Sequence, residues 1–218
     1  MSFAFAEDGK AAFLERISFE EPTVGVESKL KKKLVLYEGK IPHMYLDSVG
    51  KVTVGVGHML PNLSAAQKLS FVNASNKAAT KEEIKTDWDA VVAKGKGLKA
   101  SAYKHKDSLT LPVAKIDAQM ASHIKSFRTE LKKIFPNFQN YSDEVRLALF
   151  DMIFNLGMTR LKKKFPTFVQ AIKDEDWKKA ASESKRKGIS GKRNAYVKKL
   201  LETEAKKSAD AGQKGEKQ

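Results

Sequence analysis

The stretch Tyr37–His58, YEGKIPHMYLDSVGKVTVGVGH, contains a helix end, a hairpin and two carboxylates, and its reading sets the fold of the chain around it. Upstream, from Glu27 to Glu38, the apolar residues Leu30, Leu34 and Tyr37 recur at helical spacing, and Gly39 is suited to the C′ position of a helix. The predicted helix therefore stops on a carboxylate, Glu38. Met44 to Asp47 and Val52 to His58 then read as a small hairpin turned at Ser48-Val49-Gly50-Lys51. In its second strand the period of two sends Val52, Val54 and Val56 to one face. The other face receives Thr53, Gly55 and Gly57, so it has almost no side-chain bulk and leaves room for a ligand against the backbone.

These residues suit one chemistry. Cleaving a glycosidic bond takes a protonated carboxyl to donate to the leaving oxygen and a carboxylate on the opposite face of the sugar. Glu38, at a helix C-terminus, sits where the helix dipole disfavours negative charge, as a proton donor requires. Asp47, at the mouth of a polar turn, is expected to stay ionised, and the Thr53 hydroxyl is placed to hold a water or a sugar hydroxyl. Taken singly, each has a plainer reading: Glu38 as a solvated surface charge, Asp47 as a turn residue, Thr53 as a strand former, His58 as a structural hydrogen-bonding residue. Only their joint spacing favours the chemical reading.

Around this segment the pattern is mainly helical. Residues 1–26 mix apolar and acidic positions up to a Pro-Thr-Val-Gly turn and read as an N-terminal extension. Thr80 to about Lys94 opens with the capping-box signature Thr-Lys-Glu-Glu and is broken by Lys94-Gly95-Lys96-Gly97. Further helices are expected at 115–134 and 143–156, the latter opened by Ser142 and ended by Gly157. Val145 to Leu156 is apolar nearly all round, which predicts a buried central helix. Shorter helices are expected at 166–173, 174–187 and 191–207, and 208–218 as a charged, disordered tail. The fold class is α+β: predominantly helical, with one small antiparallel sheet set to one side.

Composition excludes several functions. The chain lacks cysteine, so disulfides and thiolate catalysis are ruled out. Its four histidines, His43, His58, His105 and His123, show no metal-ligand spacing, and neither metal nor cofactor is expected. No apolar run approaches the roughly 18 to 20 residues that span a bilayer, so membrane insertion is not expected. Met1 to Arg16 carries acids and lacks a basic n-region, so no signal peptide is expected. Net charge is +15, which suits a polyanionic partner: nucleic acid, anionic lipid or bacterial wall. Nucleic acid is disfavoured because neither interleaved aromatics on a β surface nor a recognition helix is evident. Lys31–Lys33, Lys162–Lys164 and Lys185–Lys187 are solvated faces taken one at a time, and together they should make activity sensitive to salt.

The segment from Tyr37-Glu38-Gly39 through Leu46-Asp47-Ser48 to Gly50–His58 resembles the catalytic segment of the phage-type lysozymes and endolysins, the T-even type of glycoside hydrolase. Asp143–Arg146 through Phe154-Asn155-Leu156-Gly157 is similar to that family's central helix, Trp177–Ala181 to a later one, and Gly191-Lys192-Arg193-Asn194 to the stretch carrying an arginine that pairs with the catalytic glutamate. The resemblance implies a two-lobed fold flanking a cleft, with a catalytic domain over 27–207. It implies a muramidase that inverts the anomeric carbon of peptidoglycan glycan strands, acting as a monomer. On it, Glu38 is the general acid, Asp47 and Thr53 position the attacking water, Arg193 orients Glu38, and His58 braces the sheet. Met59 and Phe154 fall at substrate-groove positions, whereas Phe168 and Glu183 stand where the family has small polar groove residues.

Residues 61–111 hold an insertion relative to the family, expected as a surface elaboration, with a lid or wall-binding element as the other reading. The site of action implied is the periplasm or wall, reached by phage release or by a secretion machine. For a secreted toxin an immunity protein would be the natural partner. The rival reading is a lysozyme fold that binds wall glycan without cutting it.

Overall fold

The computed structural model describes residues 24–215, so the expectation for 1–26 lies almost wholly outside the described residues. Helix α1 (Val24–Glu38) leads into strand β1 (Ile41–Leu46), then β2 (Val52–Gly55) and β3 (His58–Met59), an antiparallel sheet in the order β1-β2-β3. Helices α2 (Leu63–Ala66), α3 (Lys81–Ala93) and α4 (Ala100–Tyr103) follow, and α5 (Val113–Ile134) crosses to the helical side. There α6 (Asp143–Lys164), α7 (Pro166–Lys173), α8 (Trp177–Glu183) and α9 (Gly191–Gly215) pack together, with α1 closing on α6. The result is the expected α+β arrangement. Among the described residues no helix is long and apolar enough to cross a membrane.

The central helix forms for the reason its composition suggests. Ser142 caps it by accepting from the Val145 amide, and every residue from Val145 to Ile153 is buried. Gly157 then takes φ 68° and ψ 162°, a left-handed turn that breaks the helical path, although the chain resumes helix to Lys164. The resumed turns were not expected from the sequence. In α3 the capping box is complete: Thr80 accepts from Glu83 N, and the Glu83 carboxylate accepts from Thr80 N.

Helix boundaries depart from expectation at three further places. Helix begins at Val24 rather than after residue 26. The segment 174–187 holds helix only over Trp177–Glu183, because Asp176 caps at Lys179 N and the chain then turns through Ser184. The tail is not disordered as far as it is described: α9 continues to Gly215. Strong helix formers (Ala205, Lys206, Lys207, Ala209, Ala211) and an ion pair from Lys207 to Glu144 at 2.8 Å favour its extension.

The insertion contributes to the hydrophobic core rather than only elaborating the surface. Ile84 and Val91 of α3, Tyr103 of α4, and Leu109 and Leu111 are all buried. Val72 and Thr110 exchange both backbone hydrogen bonds at its base, at 2.8 and 2.9 Å, and Leu111 N donates to Pro42 O at 2.7 Å, tying its end to β1. Asp87, 2% exposed, accepts from Leu109 N at 3.0 Å and pairs with His105 Nε2 at 2.8 Å. That buried carboxylate draws a separate loop onto α3.

Candidate active site

Glu38 is the last residue of α1, and its side chain is 27% exposed. Its Oε1 accepts from Arg193 Nη1 of α9 at 2.6 Å, so two residues far apart in sequence meet at this carboxyl. The other oxygen, Oε2, lies over Gly57, 3.5 Å from where a Cβ on that residue would stand. The sheet's bare backbone thus faces the carboxyl. Arg193 is itself 6% exposed and lies over the Tyr37 ring at 5.1 Å, while Tyr37 packs against Tyr196 with ring centroids 6.1 Å apart.

Asp47 follows β1 directly. Its Oδ1 accepts from Val49 N at 2.9 Å and Lys51 N at 2.8 Å, so one oxygen organises the turn and Oδ2 remains for a ligand. Asp47 therefore satisfies the plainer reading while keeping one oxygen for chemistry. Tyr45 links the two acids: burial pushes its phenol up to about 12, with the charges of Glu38 and Asp47 adding to the effect.

Thr53 lies opposite Tyr45 on one side and Met59 on the other, so these three side chains form one row across the sheet. The row is less open than the alternation of small residues suggests. Thr53 is 3% exposed, and its hydroxyl donates to Lys51 O at 3.1 Å. Gly55 is covered by α5: a Cβ there would stand 3.2 Å from Ile116 Cγ2 and Gln119 Oε1. Its small size admits a helix rather than a ligand. Met59 is exposed at the rim.

His58 of β3 meets His123 of α5. Its Nδ1 lies 2.8 Å from His123 Nε2, and rings continue from His123 to Phe127 and on to Phe154 of α6. Phe154 is half-buried in this row. Burial, with His123 adding, pushes His58 down from 6.5 to about 4, and burial lowers His123 as well. An unfolded histidine binds its proton near 6.5, so between there and about 4 the unfolded chain takes up more protons than the folded one. The pair's contribution is therefore complete above about pH 6.5 and fades as pH falls toward 4. A series of melting curves should show Tm dropping across that window, and His58→Gln should flatten the drop. An unchanged slope in the variant would remove this role.

Phe168 is fully buried, and Glu183 shares a pocket of about 410 Å³ with Arg160, Lys164, Lys185 and Lys187. Two of the three basic clusters, 162–164 and 185–187, thus meet there through Lys164, Lys185 and Lys187. Sequence reasoning missed Asp151 and Arg186, both buried: Asp151 accepts from Arg193 Nε at 3.0 Å and from Arg186 Nη1 at 2.7 Å. An aspartate flanked by the apolar residues Leu147–Phe150 and Met152–Phe154 was the available signal, since a buried charge needs a partner.

Comparison with known proteins matches the chain to a family. The profile described as phage lysozyme matches residues 35–202. A Dictyostelium discoideum protein named "Probable T4-type lysozyme 1" is 25% identical over 158 residues, covering 72% of this chain and 82% of its own.

Proposed function

Because this chain belongs to the phage lysozyme family, and is thus a lysozyme-type peptidoglycan hydrolase, we propose that it is an N-acetylmuramidase. In this reading it hydrolyses the β-1,4 bond between N-acetylmuramic acid and N-acetylglucosamine by a single inverting displacement. The observation that carries the reading is Glu38: a carboxyl at a helix end, engaged at one oxygen by Arg193 and with the other over the bare backbone of Gly57.

Glu38 gives its proton to the glycosidic oxygen as the bond to the anomeric carbon breaks. A water on the opposite face of the sugar forms the new bond, and Oδ2 of Asp47 takes the proton it releases. Thr53 keeps acceptor lone pairs on its hydroxyl oxygen and takes a hydrogen bond from the same water. Inversion needs space for that water, so the reading requires the carboxyl groups of Glu38 and Asp47 to be farther apart than the roughly 5 to 5.5 Å of retaining enzymes. Met59 at the rim and Phe154 in the aromatic row contact the glycan. A phage endolysin and a secreted antibacterial effector both fit, and for the latter an immunity protein would cover the cleft.

Mass analysis of digested peptidoglycan tests the reaction. Reducing muramic acid ends that carry one water per cut are expected, with the α anomer formed first. Anhydro ends would replace hydrolysis by a transglycosylase reaction, and a β product would defeat the single displacement.

A further inference from the structure

Behind Glu38 lies a buried chain of alternating charge. Asp151 of α6 has a side chain 3% exposed, Arg186 1% and Arg193 7%. Asp151 Oδ1 accepts from Arg186 Nη1 at 2.7 Å and from Arg193 Nε at 3.2 Å, and Oδ2 from Arg193 Nε at 3.0 Å. Arg186 is fixed in turn by Asn194: its backbone N and its Nε both donate to Asn194 Oδ1, at 3.1 and 3.3 Å, and Asn194 Nδ2 donates back to Arg186 O at 3.0 Å. The chain thus runs Arg186, Asp151, Arg193, Glu38.

We propose that Asp151 and Arg186 are positioning residues for the acid step: Asp151 anchors Arg193 and offsets its charge, so that the guanidinium orients Glu38 without locking it in the ionised form. The inference rests on the acid role proposed for Glu38. A general acid beside a lone buried arginine faces a conflict, because the cation that orients the carboxylate also opposes its protonation. Asp151 relieves the conflict, since Arg193 keeps a carboxylate partner whether or not Glu38 holds its proton. Arg186 balances the extra acid. With Glu38 ionised, the four groups are two anions and two cations. With Glu38 protonated, Asp151 still lies between the two guanidiniums and only one positive charge is in excess.

The other titratable groups facing this end of the charge chain are Tyr37 under Arg193, Tyr196 against Tyr37, and Tyr45 from the sheet, which feels the charges of both Glu38 and Asp47. None of them offers Arg193 a second buried carboxylate. Burial alone would lower Arg193; Asp151 and Glu38 outweigh it and raise the group overall.

A tie that merely holds α6 to α9 would lose stability on mutation and leave the ionisation of Glu38 where it was. Charge relay through Arg193 makes a different demand: deleting the anion and deleting the far cation must move Glu38 in opposite directions. The experiment is a pH–rate profile of glycan hydrolysis for the full chain, D151N and R186Q, with the Glu38 carboxyl followed in parallel by carbon-13 NMR. In D151N two cations face Glu38 alone, so the alkaline limb should move to lower pH by about one unit, and kcat should fall roughly tenfold with KM nearly unchanged. In R186Q the anion is left in excess, and the limb should move to higher pH.

Limbs that stay put, or that move together, overturn the proposal. If D151N does not fold, R186Q decides by itself: a limb at or below the wild-type pH overturns the proposal. A wild-type chain that cuts no glycan defeats the proposed function instead. Normal cutting with unmoved NMR midpoints defeats this inference and leaves the function standing.

Discussion

Glu38→Gln is expected to abolish wall lysis, lowering kcat at least roughly a thousandfold, while the chain folds and binds peptidoglycan as before. The substitution preserves shape, and the amide oxygen still accepts from Arg193 Nη1, which now stands 2.6 Å from Oε1. Only the transferable proton is lost. Because the side chain is about a quarter exposed and Arg193 keeps Asp151 as a carboxylate partner, the variant leaves only the single excess positive charge that a protonated Glu38 also leaves, and Tm should move little. Turbidity loss of bacterial wall suspensions, read beside a sedimentation assay for binding, separates the outcomes. Undiminished lysis would remove Glu38 from the chemistry. A wild-type chain that sediments with wall and releases no fragments would instead be a glycan-binding relative of the enzymes.

Where the determining interaction is local, the sequence already states the structure. The capping box at Thr80, the Ser142 cap and the break at Gly157 each depend on residues within a turn of one another, and each lies where the pattern puts it. The run Val145–Ile153, apolar except for Arg146 and Asp151, is central because a helical segment without a polar face has nowhere else to go. The site was legible only in part. Helix end, turn and strand could be placed, but alternation cannot say what covers a bare strand face. Ile116 and Gln119 cover Gly55, and both come from a helix beyond the insertion. Asp151 shows the limit best: its isolation among apolar neighbours signals a partner, yet Arg186 and Arg193 lie 35 and 42 residues later, at no spacing a local pattern can register.

The insertion offers the sharpest disagreement between pattern and packing, and Tyr103→Ala measures it. A surface elaboration predicts a change within about 0.5 kcal/mol, as for most exposed positions. Tyr103 is instead fully buried, and its hydroxyl donates to Gly95 O at 2.7 Å, pinning the Lys94–Gly97 loop. Lys96 of that loop in turn lies against Gly50 in the hairpin turn, 3.5 Å from where a Cβ would stand. Removing the ring leaves a cavity under the sheet and should cost about 3 to 5 kcal/mol, roughly 10 °C of Tm in a domain of this size. Tyr103→Phe retains the packing and loses only the hydrogen bond, about 1 kcal/mol. The ratio of the two losses is the decisive quantity. A large loss for alanine and a small one for phenylalanine means that the insertion supports, through packing, the ribbon that holds Asp47 and Thr53. Equal, small losses would return it to the surface, and the hairpin would have to owe its position to β1 and α5 alone.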